Sequence, residues 1–407
     1  MAPTDLCQHG RVEPFFDLAD PAFDVTSDLV HSTRDDRWWV ETSYGWSVLS
    51  YEQGVELLKD RRFQQGNARW PAQNGVPDGP FTQWWRETLL SLEGEDHLRI
   101  RRLLGPAFRN RAILAMQPRF QELADELVDG FADRGECEFI SEFAEPYSAR
   151  ILCLLLGLPE ENWPQLAHWA DDLGKSFGIR IADDLPRIEA ALEGLYGYVD
   201  EVIDKRQADP ADDLVSTLIA VSTAEDGRLS RRELEVALVF LAFAGMETTR
   251  NQLGLALQIL LRHPDQWRLL GERPDLGAQA VEEVMRVSPT VTWVTREAIH
   301  DVDFHGLRIP AGGIVQVLSH SAGTDPRAMP DPSFDITEQR PAHVGFGAGM
   351  HHCLGHFVAR TDMAVALPLL ARRMPDAIPD GPGDWLPVSG NTGARRFPIR
   401  FRAVLPD

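Results

Sequence analysis

Cysteine is scarce in this chain: only four occur among 407 residues, and they are widely scattered. Scattered cysteines do not form a disulfide framework, so we expect reduced thiols in a reducing compartment. Cys153 lies in an apolar stretch and is expected to be a buried core residue. Cys353 differs, because three glycines precede it in the stretch GFGAGMHHCLG and two histidines stand directly before it. This stretch is therefore the first candidate for a functional site.

Positive charge and long apolar runs are also in short supply. Lys and Arg total 40 against 62 for Asp and Glu, which gives a formal net charge of −22. An acidic surface disfavours nucleic acid and anionic membranes, whose phosphates need a basic footprint. The longest apolar stretch, at residues 236–244, is too short to span a bilayer. The first residues show no signal-peptide pattern, so we predict a cytoplasmic protein without membrane or nucleic-acid partners.

Most of the sequence has helical periodicity. The pattern extends from residue 95 to 263, and Gly or Pro breaks it at 105–106, 146, 157–159, 178 and 209–210. Its longest piece, residues 230–262, reads as one buried helix that begins with a capping box formed by Ser230 and Glu233. A further helix is predicted at about 276–287. A final helix is predicted to start in the cysteine stretch and to reach Arg373, with a kink at Pro368.

The remaining segments predict a small β portion. Residues 38–50 read as a hairpin, residues 51–60 as a helix, and residues 302–319 as short strands. Residues 62–88 read as an irregular segment whose aromatic side chains either line a ligand or only anchor the loop. No repeat or linker divides the chain. We therefore expect one mainly α domain over residues 1–407, with a small β-rich portion.

The middle of the longest predicted helix carries residues that a buried helix rarely tolerates. Gly245 costs about 1 kcal/mol there relative to Ala, and the carboxylate of Glu247 costs more unless it is paired. Thr248 can donate a hydrogen bond to the carbonyl four residues earlier, as happens at distorted helix turns. Two interpretations remain open: Glu247 and Thr248 carry protons to a buried centre, or Glu247 pairs with a distant arginine.

Two other charged pairs are each ambiguous on their own. His97 and Arg101 share a helix face, where they form either an anion site or ordinary solvated surface. Glu283 and Arg286 stand three residues apart, a spacing that is usually a surface salt bridge worth a few tenths of a kcal/mol.

Cys353 allows several chemistries. A helix start lowers the pKa of a cysteine thiol, which makes Cys353 a nucleophile, a metal ligand or a redox thiol. His351 could serve as the base of a nucleophile. A structural zinc site is poorly supported, because no second cysteine lies nearby. The residues alone leave a nucleophile and a single axial thiolate both open.

Taken together, these motifs resemble the soluble bacterial class of the cytochrome P450 family, the haem-thiolate monooxygenases. FGAGMHHCLG is similar to the family's cysteine loop FGxGxHxCxG, and AGMETT to its oxygen-binding helix. EVMR resembles its Glu-x-x-Arg element, HLRIR its His-x-x-x-Arg clamp, and TREA a segment with a propionate-binding arginine. The five elements occur in the family's order and cover nearly the whole chain.

The resemblance implies a cytochrome P450-like fold with haem b between the long central helix and the cysteine-bearing helix. Cys353 would be the axial thiolate, which pushes electron density onto the iron. Glu247 and Thr248 would help to deliver protons, and Glu283 with Arg286 would form a buried pair joined by Arg340. The implied cofactor-binding residues are His97, Arg101, Ala244, Gly245, Arg296, Phe346, Gly347, His351, Cys353 and Gly355.

The resemblance also implies the substrates and partners. The enzyme would insert one oxygen atom from dioxygen into a small apolar substrate, in secondary metabolism or catabolism. No nucleotide-binding motif is present, so electrons would come from a separate ferredoxin and reductase, which dock on arginines such as Arg102, Arg109, Arg111 and Arg360. The substrate-pocket candidates are Trp84, Trp85, Phe177, Phe240, Phe243, Val291, Trp293 and Thr392. The alternative from another class is a haem-binding sensor or carrier without oxygenase activity.

Overall fold

The computed structural model describes residues 14–224 and 228–404, and helices form most of it. The α-helices, in chain order, are α1 (Asp28–Asp36), α2 (Tyr51–Lys59), α3 (Trp70–Gln73), α4 (Pro80–Glu87), α5 (Gly94–Leu104), α6 (Asn110–Ala132), α7 (Glu145–Leu156), α8 (Trp163–Gly174), α9 (Ile181–Ala208), α10 (Leu214–Ser222), α11 (Arg231–Ala244), α12 (Glu247–Arg262), α13 (Pro264–Glu272), α14 (Gly277–Val287), α15 (Ser319–Gly323) and α16 (His356–Arg373). The mainly helical fold predicted from the sequence is confirmed.

Strands form a small part of the fold. They are β1 (Phe15–Phe16), β2 (Trp39–Thr42), β3 (Gly45–Val48), β4 (Phe63–Gln64), β5 (Glu136–Glu138), β6 (Trp293–Ala298), β7 (Val302–Phe304), β8 (Leu307–Ile309), β9 (Ile314–Leu318), β10 (Ile378–Pro379), β11 (Asp384–Trp385), β12 (Ala394–Arg396) and β13 (Pro398–Arg400). The main sheet has the order β1-β2-β3-β9-β6-β4, and its β2–β3 hairpin is the one that the sequence predicts.

The long central helix is predicted as one piece, but the structure contains two. Helix α11 ends at Ala244 and α12 begins at Glu247, with Gly245 and Met246 between them. The predicted capping box is confirmed, since Ser230 and Glu233 cap α11 reciprocally. A side chain at Gly245 would meet Leu152, because an added Cβ would lie 2.8 Å from its Cδ1 atom. The break therefore coincides with the close approach of α7.

Three further predictions about local structure are wrong. The segment 62–88 contains helices α3 and α4, because Phe81, Trp84 and Trp85 give α4 an apolar face that is buried in the core. Pro146 does not break a helix, since it lies in the first turn of α7, where the N–H that proline lacks would have no helical partner. Helix α16 begins at His356, so Cys353 precedes it by three residues.

The apolar core is continuous around the centre of the fold. A large cluster of buried side chains joins helices α6, α7, α11, α12, α14 and α16, and a smaller one lies beneath the main sheet. Cys137, Cys153 and Cys353 are free thiols, whereas Cys7 lies outside the described residues. None of the helices in the described part of the chain is long and apolar enough to cross a membrane.

Candidate active site

A cavity of about 320 Å³ lies between the broken central helix and the cysteine loop. Ala244, Gly245 and Thr248 line one wall, and Phe346, Cys353 and Gly355 line the opposite wall. The sequence-predicted residues His97, Arg101, Gly347 and His351 also line it. The fold thus brings most of the predicted site together around one cavity.

The cysteine loop is shaped by glycines in the left-handed region of the backbone. Gly347 has φ +65° and Gly349 has φ +72°, conformations that other residues rarely adopt. A Cβ added at Gly349 would lie 2.7 Å from the Leu58 carbonyl oxygen, so only glycine lets the loop pass α2. The Cys353 amide donates a hydrogen bond of 2.9 Å to the Phe346 carbonyl, which closes the loop beneath the cavity.

The thiol of Cys353 has a different electrostatic setting from the one its sequence context predicts. Burial raises the pKa of the thiol, and the Gly355 amide together with Arg101 and Arg360 offsets only part of that effect. Gly355 is the N-cap of α16, so the helix start does act on the thiol, but the predicted net lowering of the pKa is wrong because burial outweighs it. A thiol whose pKa is raised becomes a thiolate most readily when a metal ion takes the place of its proton.

Phe346 is held beside the cysteine by a charged neighbour. The Arg360 guanidinium carbon lies 4.5 Å from the centre of the Phe346 ring, at cation–π distance. Arg360 in turn donates to the Glu282 carboxylate at 2.5 Å. Arg360 is therefore paired within the fold, unlike the exposed Arg102, Arg109 and Arg111 with which it is grouped in the sequence prediction.

Two arginines near the cavity, the buried Arg296 and the half-buried Arg101, have no carboxylate partner. Arg296 is 4% exposed and donates to the Gln65 side chain at 2.5 Å and to the carbonyls of Leu58 and Ala348. Arg101 donates to the His352 carbonyl. Among residues 14–224 and 228–404, no carboxylate lies within ion-pair distance of either guanidinium. Burial lowers the pKa of Arg296 to about 10, which reflects a positive charge held without a close counterion.

The two histidines of the rim lie in contact with each other. The rings of His97 and His351 have their centroids 4.0 Å apart. His97 is fully buried, and neither of its ring nitrogens has a hydrogen-bond partner within the described structure. Burial, with His351 and Arg101 nearby, lowers the pKa of His97 to about 4. Unpaired buried donors and cations of this kind fit the two carboxylates of a haem, so the residues present suit that cofactor.

The break in the central helix places a hydroxyl and a carboxyl at adjacent positions. Thr248 Oγ1 donates to the Ala244 carbonyl at 2.9 Å, as the sequence suggests. Glu247 is buried, and its Oε1 accepts from the Asn251 amide at 3.2 Å. No described residue hydrogen-bonds its Oε2. Gly174 leaves the space for this carboxyl, since a Cβ there would lie 2.5 Å from it.

The alternative in which Glu247 pairs with a distant arginine does not match the geometry. The nearest arginine, Arg250, lies one turn along α12 and forms its ion pairs with Asp171 at 3.0 Å and Glu145 at 3.4 Å. Burial raises the pKa of Glu247, and the charge of Arg250 opposes this only in part. Glu247 borders both the main cavity and a small cavity lined by Glu145, Asp171 and Arg250.

The Glu283 and Arg286 pair is buried, so its interpretation as a surface salt bridge is wrong. Both side chains are 1% exposed, and Arg286 Nη2 donates to Glu283 Oε1 at 2.5 Å. Arg286 also donates to the carbonyls of Gly323, Pro332 and Ser333. Arg340 approaches Glu283 at 3.9 Å. The cluster thus joins α14 to the segment that leads into the cysteine loop.

Six of the eight side chains predicted for the substrate pocket line the cavity, and two do not. Trp85, Phe177, Phe240, Phe243, Val291 and Trp293 line the cavity. Trp84 does not, because it turns into the core against Phe81 and Phe243. Thr392 does not either, because its backbone binds Thr290 and its neighbour Asn391 takes the cavity position.

Sequence reasoning missed two polar residues at the rim. The Glu93 carboxylate accepts a hydrogen bond from His351 Nε2 at 3.1 Å and another from the backbone amide of Gln65 at 2.6 Å. Glu93 lies four residues before His97, so a search for acids one helical turn from the predicted clamp would have found it. Gln65 lacks any such signal, because only the folded chain brings it to Arg296.

The described residues contain no group of three His, Cys, Asp or Glu side chains that could hold a metal ion, so the zinc alternative for Cys353 has no support.

Comparisons with known proteins give a consistent assignment. The cytochrome P450 family profile matches residues 275–374.

Over 397 residues the chain is 35% identical to luteothin monooxygenase of Streptomyces thioluteus, covering 96% of this chain and 97% of that protein. It is 30% identical to 6-deoxyerythronolide B hydroxylase of Saccharopolyspora erythraea, covering 81% and 83%. The crystal structure of CalO2 superimposes with a TM-score of 0.84 at 31% identity, covering 94% of this chain and 99% of that one.

Proposed function

This chain belongs to the cytochrome P450 family, and we propose that its cavity binds haem b through Cys353 and oxidises an apolar substrate on the side of the broken helix. It is a haem-thiolate monooxygenase, and its named relatives include a monooxygenase and a hydroxylase. The observation that carries the proposed site is the position of Cys353 across the cavity from Ala244, Gly245 and Thr248. Nothing favours the alternative of a sensor or carrier without oxygenase activity.

Each wall of the cavity has a task in this proposal. His97, Arg101, Arg296 and His351 would hold the haem propionates, which would supply the anions that the two arginines lack and a partner for the unbonded ring of His97. When bound, the haem supplies the redox chemistry that activates dioxygen, with electron density donated by the thiolate. Phe346 would shield the sulfur, and the small side chains at Ala244 and Gly245 would leave room above the cofactor.

Glu247 and Thr248 would supply protons to the reaction centre. Glu247 borders both the main cavity and the small cavity beside Arg250 and Asp171. The side chain of Asp171 is 47% exposed, so protons from solvent have a short route to the buried carboxyl. The unbonded Oε2 of Glu247 can hold a proton, and the Thr248 hydroxyl can pass one on.

The substrate in this proposal is a bulky apolar molecule. Trp85, Phe177, Phe240 and Phe243 give the wall facing the cysteine loop an aromatic surface. Two relatives are named a luteothin monooxygenase and a 6-deoxyerythronolide B hydroxylase, and their names support a small organic substrate for this chain too. We assign the whole chain to one catalytic domain that works in the cytoplasm.

The proposed electron donor is a ferredoxin with its reductase. Arg102, Arg109 and Arg111 are exposed on and after α5, the helix that contacts the cysteine loop through Arg101. Exposed Leu98 and Met350 belong to the same two segments. An acidic ferredoxin would be steered to such a basic patch, so neutralising these arginines should slow reduction and flatten its salt dependence. Unchanged rates would remove the patch from the proposal.

The test of the haem-thiolate site is an absorbance spectrum of the reduced protein with carbon monoxide. A strongly red-shifted Soret band is expected, because the axial thiolate donates electron density to the iron. Well-folded, haem-loaded protein without that band would overturn the proposal. Turnover with a ferredoxin, its reductase and a panel of apolar substrates then measures the oxygenase activity.

A further inference from the structure

Glu93 stands at the N-terminus of α5, where three separate parts of the chain meet. Its Oε2 accepts a hydrogen bond from His351 in the cysteine loop, and its Oε1 accepts one from the Gln65 amide after β4. Its side chain is 30% exposed. No task in the proposed reaction requires this carboxylate.

Through its contact with Gln65, Glu93 also affects the orientation of Arg296. The Gln65 side chain accepts from Arg296 Nη1 at 2.5 Å, and β4 pairs with β6, the strand that carries Arg296. By fixing the Gln65 backbone, Glu93 fixes the acceptor that orients a buried guanidinium.

The contact with His351 reaches His97. The imidazole of His351 contacts both the Glu93 carboxylate and the His97 ring, whose centroid is 4.0 Å away. A carboxylate that accepts from one ring nitrogen sets the orientation of the ring and leaves the other nitrogen for a second partner. Glu93 therefore influences three of the four residues to which the propionates are assigned.

The charge of Glu93 is retained at neutral pH. Burial raises the pKa of its carboxyl, but the hydrogen bonds from His351 and the Gln65 amide outweigh burial and lower that pKa overall. A fixed negative charge at this position partly balances the positive charge of Arg296.

We propose that Glu93 is a positioning residue for the haem, which holds His351 and, through Gln65, Arg296 in the geometry that receives the propionates. The inference rests on the proposed seating of the propionates at these residues. Its charge also contributes to the electrostatic field at the cofactor, so the residue sets the reduction potential as well as the affinity.

The test compares Glu93→Gln with wild-type haem-loaded protein. Glutamine keeps the size of the side chain but weakens both hydrogen bonds and removes the charge. We expect haem transfer to apomyoglobin to become about tenfold faster. We also expect the reduction potential to become more positive and the propionate bending modes in the resonance Raman spectrum to shift.

The matched control is Glu95→Gln, which makes the same charge change two residues away at an exposed position. Exposed single charges contribute little, so its haem transfer rate should stay within about twofold of wild type and its potential should not move. Glu93→Asp keeps the charge and should give intermediate values. If Glu93→Gln cannot be loaded with haem, the comparison rests on Glu93→Asp and wild type.

The inference is wrong if the Glu93 variants match Glu95→Gln in haem transfer rate, potential and Raman modes. It is also wrong if Glu93→Asp, where it alone can be loaded, equals wild type in all three. The carbon monoxide spectrum of the wild type separates this failure from failure of the proposed function. If the wild-type protein shows the thiolate band and the Glu93 variants change none of the three measurements, the proposed function stands and only this inference fails.

Discussion

The two walls of the cavity are held in place by different forces. On the cysteine side, buried hydrogen bonds and ion pairs fix the side chains, as in the Glu283 and Arg286 pair. On the opposite side, aromatic packing fixes them, as in the stacked rings of Phe177 and Phe243, whose centroids lie 5.5 Å apart. Directional bonds hold one geometry, whereas apolar contacts tolerate rearrangement. The cofactor wall is thus built for one occupant, and the substrate wall can be reshaped for different ones.

Replacing Cys353 with serine should break the cofactor wall most severely. A serine hydroxyl does not ionise at neutral pH, so the haem iron would lose its thiolate. We expect the red-shifted carbon monoxide band to disappear and turnover to fall below detection, measured by absorbance and product analysis.

The matched control is Cys153→Ser, which removes a buried thiol of α7 that does not line the cavity. It should keep the band even if it lowers stability. A Cys353→Ser protein that retained the band would contradict the assignment of the axial ligand.

The largest effect on stability is expected at Glu283. Glu283→Gln leaves Arg286 as a buried charge without its counterion, which should lower the free energy of unfolding by about 3–5 kcal/mol. Urea denaturation of the purified protein measures this change.

The comparison is with Asp265→Asn, which breaks the exposed ion pair to Arg268 at 2.9 Å. Exposed pairs contribute about 0.2–1 kcal/mol, so this variant should unfold close to wild type. Equal losses in the two variants would show that the buried cluster does not stabilise the cysteine side.

On the opposite wall, Glu247→Gln tests the proton supply. Removing a general acid should slow coupled turnover about 100-fold and divert consumed oxygen to hydrogen peroxide. Burial raises the pKa of Glu247, so the wild-type carboxyl keeps its proton to higher pH than a free glutamate. Coupling should therefore fall as pH rises through that raised pKa, and the glutamine variant should lose this dependence. Peroxide and product yields per reducing equivalent measure both effects.

Thr248 supplies the control on the same helix. Thr248→Ser keeps the hydroxyl that donates to the Ala244 carbonyl, and Thr248→Ala removes it. The alanine variant should uncouple oxygen consumption from product formation and the serine variant should not. If all variants couple oxygen consumption to product formation equally well, neither Glu247 nor Thr248 delivers protons.

The sequence predicts the cofactor wall better than the substrate wall for a physical reason. His97 and Arg101 stand four residues apart on one helix face, and Phe346, His351 and Cys353 lie within one short loop, so each group is a local motif whose role the family resemblance supplies. Trp84 and Thr392 do not line the cavity, and this depends on which side chains of α4 and of the turn at Asn391 face the cavity instead of the core.

Long-range contacts limit the prediction in the same way on the cofactor side. Glu93 and His351 are 258 residues apart in sequence, and no local pattern joins them. The helix in residues 80–87 was missed because Gly and Pro before it suggest a loop, while its buried tryptophans stabilise it through the core.

The smallest expected effect distinguishes a side chain that lines the substrate wall from one that only supports it. Phe240 lines the cavity and is partly exposed to it, whereas Trp84 is buried behind the wall. Phe240→Leu should weaken binding of 4-phenylimidazole about fivefold, since it removes roughly 1 kcal/mol of apolar contact. Trp84→Phe should lower stability but change that affinity by less than about twofold.

Titration of the haem absorbance gives the affinity, and urea denaturation gives the stability. Phe240→Leu should therefore have the larger effect on ligand affinity, and Trp84→Phe the larger effect on stability. If Trp84→Phe weakened binding more than Phe240→Leu, the wall would respond as one packed unit, and aromatic packing behind it would control substrate fit as strongly as the lining itself.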